Sequence, residues 1–176
     1  MNTTTNPFAC PDSSRIISFA FSSSILNSHL MGPDLQPYYR VFTDSFGHAT
    51  HIFSQGHEIA CIRWAAKRIK LSSITGGEDG TPISEWLSES PNIEVIGRVL
   101  RYMDFSGAKY SWIRKDNRYS LYTSLKMGAT PAWMARIIDE EGGVARVELF
   151  ADSIWRGLLD PCVIAAVLLF SGRDID

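Results

Sequence analysis

Cysteine is scarce and poorly placed for cross-linking. The three cysteines, Cys10, Cys61 and Cys162, are odd in number and far apart. That argues against a disulfide framework and against a Cys-x-x-Cys metal site, and it suits reduced thiols in a cytosolic protein. Long apolar runs are also missing. The longest is the nine residues from Cys162 to Phe170, too few for the roughly 20 that span a bilayer as a helix. The N-terminal "MNTTTNPFACPDSSR" has neither a basic start nor an apolar core, so it is not a secretory signal. It reads as a flexible segment over residues 1–14, and the expected location is cytoplasmic, at most peripheral at membranes. A dominant charge is absent as well. Lys plus Arg number 17 against 19 Asp plus Glu, for a net charge of −2. No global basic field draws nucleic acid, which is not an expected partner, so any electrostatic attraction must come from a local patch. The chain has no G-x-S-x-G elbow, no phosphate-binding loop, no G-x-G-x-x-G and no H-E-x-x-H. No cofactor is expected.

What is present begins at the far end. In "LLDPCVIAAVLLFSGRD" Asp160 can cap a helix, Pro161 suits its first position and Gly172 suits its stop. The spacing predicts about three turns over 160–171. A helix apolar on every side must be surrounded, which calls for a sheet wrapped around it.

The preceding chain supplies strand patterns at 15–21, 36–42, 49–53, 58–64, 68–73, 96–105, 109–115, 118–125, 132–139 and 144–151. In one of them Val99, Arg101 and Met103 alternate with Leu100, Tyr102 and Asp104, the period of a half-buried strand. Turn residues stand at Ser106-Gly107, Asp116-Asn117 and Gly142-Gly143. The Gly-, Ser- and acid-rich stretch 75–92 reads as a long surface loop with one short helical turn at Ile83 to Leu87. The expected fold is mainly β: one domain over 15–176, an antiparallel, closed or nearly closed barrel of about ten to twelve strands round a C-terminal apolar helix.

The segments "QPYYRVFTD", "EIACIRW", "VLRYMDFSGAKYSWIRK" and "LLDPCVIAAVLLF" resemble the tubby C-terminal-like fold of tubby proteins, phospholipid scramblases and LURP-one-related proteins. More narrowly they resemble an uncharacterised fungal family of such domains, common in mushroom-forming species. The resemblance spans roughly residues 25–172. It implies a helix-plugged barrel and, by the tubby precedent, anionic lipid bound through surface cations. It carries no catalytic residues.

Two basic groups fit that implication. Arg63, Lys67, Arg68 and Lys70 lie in "IRWAAKRIK" with Trp64 as an interfacial aromatic, and Arg114, Lys115 and Arg118 flank a turn. They make one anion site only if the two turns share an end of the barrel. Charge runs are more often solvated faces. Histidines cluster at His48, His51 and His57 beside Glu58, but alternation sends His48 and His51 to opposite faces, so no metal site is expected. Asp104 and Tyr110 lie near the Ser106-Gly107 turn, where an Asp ordinarily satisfies turn amides. The first functional expectation is a non-catalytic binding module for an anionic lipid, another small ligand or a partner. The alternative is a small cofactor-independent isomerase or cyclase for an apolar metabolite, with His51, His57, Asp104 and Tyr110 as its acid–base groups.

Overall fold

The computed structural model describes residues 15–72, 79–90, 100–123, 131–140 and 144–176. Among these, seven strands come first: β1 (Ile16–Phe21), β2 (Ser28–Met31), β3 (Pro37–Thr43), β4 (Ala49–Ser54), β5 (His57–Arg63), β6 (Arg68–Leu71) and β7 (Thr81–Pro82). A one-turn helix α1 (Ile83–Trp86) leads into β8 (Leu87–Glu89), β9 (Leu100–Phe105), β10 (Ala108–Lys115), β11 (Arg118–Thr123), β12 (Trp133–Glu140) and β13 (Val144–Phe150). Two helices close the chain, α2 (Ala151–Trp155) and α3 (Leu159–Phe170). No described helix is long and apolar enough to cross a membrane.

All thirteen strands form one antiparallel sheet, in the order β7-β6-β5-β4-β3-β2-β1-β13-β12-β11-β10-β9-β8. It consists of two meanders joined where β1 pairs with β13, from Ile16↔Phe150 to Ala20↔Arg146. The alternating strands bury one face, as Tyr39, Val41 and Thr43 do in β3. Tight turns fall at the predicted sites: Ser106 and Gly107 both have positive φ, 50° and 76°, as a two-residue hairpin turn of this hand requires.

α3 is enclosed on every side. From Cys162 to Leu168, two turns of helix, no residue is more than 4% exposed. Both meanders reach it. The Tyr39 hydroxyl of β3 donates to Asp160 at 2.5 Å, and Tyr119 of β11 meets Phe170 edge-on at 5.5 Å between ring centroids. Ile59, Leu71, Trp86 and Phe105 gather round its N-terminal end. The helix starts at Leu159 without a side-chain cap. Asp160 therefore does not cap it, because its carboxylate is taken by Tyr39. Pro161 falls third, still within the turn where no intrahelical amide is needed. Gly172 ends the helix at φ 69° as expected.

Three expectations need correction. The described sheet has thirteen strands, not ten to twelve, because β2, β7 and β8 add to the ten that the patterns predict. The barrel is not closed by hydrogen bonds: β7 and β8 are free edges of the sheet. α1 joins them directly, and a four-residue helical turn is only about 6 Å long. Its backbone bonds along the turn, with the Leu87 amide donating to the Ile83 carbonyl, instead of across a ladder. The stretch 75–92 is not one surface loop. Residues 79–90 hold β7, α1 and β8, with Ile83 and Leu87 at 0% and Trp86 at 6% exposure; its remainder lies outside the described residues, as does the predicted Gly142-Gly143 turn. The helical turn was legible there, but the edge strands, two and three residues long, were not. Gly80 permits the β6–β7 approach: a Cβ on it would stand 2.5 Å from the Ile69 carbonyl oxygen.

If α1 is part of the core, Ile83→Ala lowers stability by about 2–5 kcal/mol, read from the urea unfolding midpoint. The exposed neighbour Glu85→Ala changes it by about 0.5 kcal/mol or less. Equal small effects for both would remove α1 from the core.

Candidate functional site

The two basic turns share the end of the sheet at which α3 stops. On the first, Lys67 donates to Asp174 at 2.7 Å and to the Asp176 carbonyl, just beyond the helix. On the second, Arg114 stands over the Tyr119 ring at 5.7 Å, and Tyr119 packs on Phe170. Lys115 and Arg118 face each other across that turn. The register Ile113↔Leu100 brings the start of β9 to the same end, and with it Arg101.

The remaining predicted cations lie elsewhere. Arg63, Arg68 and Lys70 fall on the outer face of β5 and β6, where Arg63 pairs with Arg68 and Cys61 with Lys70. Arg68 is committed to structure, donating to the carbonyls of Asp79 and Gly80. Trp64 is not an interfacial aromatic. It is 7% exposed, its indole N–H donates to Thr50 at 2.8 Å, and the Arg173 guanidinium covers its ring at 4.9 Å.

Residues 173–176 fold back across this end. Arg173 donates to the Gly47 carbonyl at 2.7 Å, and Ile175 is buried. The Asp176 carboxylate receives both guanidinium nitrogens of Arg101, at 2.8 and 2.6 Å. The Arg101 side chain is only 9% exposed. Such a two-pronged fork is the geometry that recognises carboxylate and phosphate. Beside it opens a shallow cavity of about 200 Å³ lined by Arg101, Tyr119, Leu169, Gly172, Arg173 and Asp176. The Arg101 fork holds the Asp176 carboxyl below the usual carboxylate range, and the Lys67 hydrogen bond does the same for Asp174. Phe46, at the tip of the β3–β4 turn, is 81% exposed. It stands next to Gly47, which the Arg173 guanidinium approaches.

Arg101, Arg173 and Phe46 were missed from sequence. Arg101 carried a signal: it alternates in phase with Met103, so it had to point inward and find an anion. Phe46 and Arg173 carried none, since each depends on which turns meet at this end.

The four acid–base candidates are not brought together. His51 is on the outer face of β4, with Nδ1 2.6 Å from Glu58 Oε1. His57 is exposed at the start of β5. Asp104 is exposed and lies 3.9 Å from Lys109, so it does not face inward. Tyr110 is buried in the core. Burial pushes the thiols of Cys61 and, far more, Cys162 upward, away from nucleophilic use. The cavity at the N-terminal end of α3, by Asp160 and Trp86, is about 90 Å³, well below the roughly 300–1,000 Å³ of metabolite pockets.

Residues 23–173 match a family described as "Family of unknown function (DUF6593)". No curated protein and no solved structure matches the chain.

The ion pair at the mouth has a definite pH dependence. The Asp176 carboxyl titrates lower in the folded chain than unfolded, so its contribution is complete above the unfolded value of about 3.9 and is lost as pH falls through the folded one. The carboxylate is half-exposed, and solvent screening keeps that contribution to about 1 kcal/mol or less. Carbon-detected NMR of Asp176 in an Arg101→Met variant should show its midpoint move upward; an unmoved midpoint would refute the pairing.

Proposed function

The chain belongs to the DUF6593 family, whose description names no activity, and we propose that it is a non-catalytic binding module for anionic membrane lipid. It docks through the end of the sheet where α3 stops. The observation that carries this reading is Arg101: an inward-pointing, nearly buried guanidinium already holding an acidic group in a two-pronged fork. A phosphate monoester presents the same pair of oxygens with more charge. Lys67, Arg114 and Arg173 stand around it, Lys115 and Arg118 add charge on the outer side of the same turn, and each cation close to an anionic membrane contributes about 1 kcal/mol. Arg63 and Lys70 extend the positive area onto the neighbouring outer face.

Phe46 favours a lipid surface over a free phosphate. A ring that is 81% exposed beside cations has an apolar body to place among head groups while the charges meet phosphate. A net charge of −2 does not oppose this, because the attraction is local and falls off within about 8 Å at physiological salt. The tail carboxylates of Asp174 and Asp176 act as a placeholder that lipid phosphate displaces. The tubby-like reading is part of the same proposal. What speaks for it is an apolar helix enclosed by a sheet whose two edges are joined by one helical turn.

Co-sedimentation with vesicles of phosphatidylcholine, alone or with phosphatidylserine or phosphoinositide, tests the proposal at low and high salt. Binding is expected only to the anionic vesicles and weakens with salt. Arg114→Glu and Phe46→Ser each reduce affinity, by roughly fivefold or more, the worth of about 1 kcal/mol. Asp174→Asn combined with Asp176→Asn strengthens it. Absence of binding to every anionic vesicle at low salt overturns the reading.

A further inference from the structure

The outer face of the β4–β5 hairpin carries a group of side chains that the anion-binding mouth does not use. His51, Glu58 and Cys61 offer one nitrogen, one oxygen and one sulfur donor, all within 4.8 Å of one another. A regular strand would not allow it, because Glu58 and Cys61 are an odd number of residues apart and would face opposite sides. The ladder explains the exception. It pairs Ile52 with Ala60 but then Phe53 with Glu58, so Ile59 is an extra residue in β5. The bulge sends Ile59 to the core, where it packs against the main cluster, and returns Glu58 to the outer face. Cys61 faces His51 directly across the ladder.

We propose that His51, Glu58 and Cys61 form a zinc site with an open fourth position for water or an incoming ligand. The mixed donor set suits a borderline-soft cation such as zinc and excludes magnesium and calcium, which take oxygen alone. The three residues sit on paired strands, so the backbone holds them in place. Tetrahedral zinc separates neighbouring donors by about 3.4 Å, given bonds of about 2.0–2.3 Å. The His51–Glu58 pair at 2.6 Å would open slightly to admit the ion, and the thiol would close in, both within side-chain rotation. Arg63 and Lys70 flank the group on β5 and β6. They oppose a bare cation, but carboxylate and thiolate together offset the charge of the ion. Sequence spacing pointed away from a metal because it paired His51 with His48 and His57. His57 stays exposed at the turn, and the true partner is Cys61.

Cobalt(II) titration of the full chain carrying Cys10→Ser tests this directly, since Cys61 and the buried Cys162 are then the remaining thiols. The expected result is a thiolate-to-cobalt charge-transfer band with the intense visible bands of tetrahedral cobalt, both bleached by zinc. Cys61→Ser abolishes the charge-transfer band. His51→Ala and Glu58→Gln weaken binding by at least the roughly tenfold that even an outer-shell partner is worth. Circular dichroism establishes that each variant is folded. In the unsubstituted chain, zinc also slows alkylation of Cys61 by iodoacetamide, which needs no variant. No charge-transfer band, a band that survives Cys61→Ser, or alkylation unaffected by zinc overturns the site. Vesicle binding is read separately and should be unaltered by Cys61→Ser, so the two proposals stand or fall independently.

Discussion

A helix without a polar face has to be enclosed, and that constraint organises the rest of the chain. Val163, Ile164, Val167 and Leu168 are each at most 4% exposed. Burying four such side chains is worth roughly 6–12 kcal/mol, as much as the whole net stability of an ordinary domain. The chain meets the requirement by pairing its first and last strands, β1 and β13, and by joining the two free edges through α1. Ala165 and Ala166, both fully buried, keep the helix slim where the sheet comes close. Closure by a helical turn instead of a ladder leaves the fold dependent on Ile83, Trp86 and Leu87, which pack into the same core as α3.

The same enclosure creates the polar mouth. Once α3 stops at Phe170, the apolar filling ends and inward-phase side chains of the strands meet polar groups. Arg101 is the clearest case. A guanidinium only 9% exposed must be paired or it costs several kcal/mol, and here Asp176 provides the partner. A cation held this way is pre-organised for any anion that can outcompete the half-exposed carboxylates of Asp176 and, at 3.8 Å, of Glu89. Stability of the tail and affinity for a ligand are therefore opposed at one guanidinium.

The bulge at Ile59 shows how little backbone change is needed to alter the chemistry of a surface. One extra residue feeds an apolar side chain to the core and puts a carboxylate beside an imidazole and a thiol. Without it, the β4–β5 hairpin would carry Glu58 and Cys61 on opposite faces. The core and the outer donor group share one cause.

The local periodicities already determined the β class, ten of the thirteen described strands, two of the hairpin turns and the apolar helix, because side-chain alternation and helix punctuation are short-range properties. A nine-residue apolar run also dictated enclosure, since no other arrangement in water covers every face. Tertiary structure decided the rest. The edge strands β7 and β8 are too short to show a period, and β2 turns only Ser28 and Leu30 inward, which gives almost no apolar alternation. The tail's hold on Lys67 and Arg101 joins residues 107 and 75 positions apart. Arg63 and Lys67 are near in sequence yet serve different faces, while His51 and Cys61 become partners only through register. Side-chain spacing along the chain says which face a residue takes; which other faces it meets is settled by pairing, and one bulge is enough to reverse it.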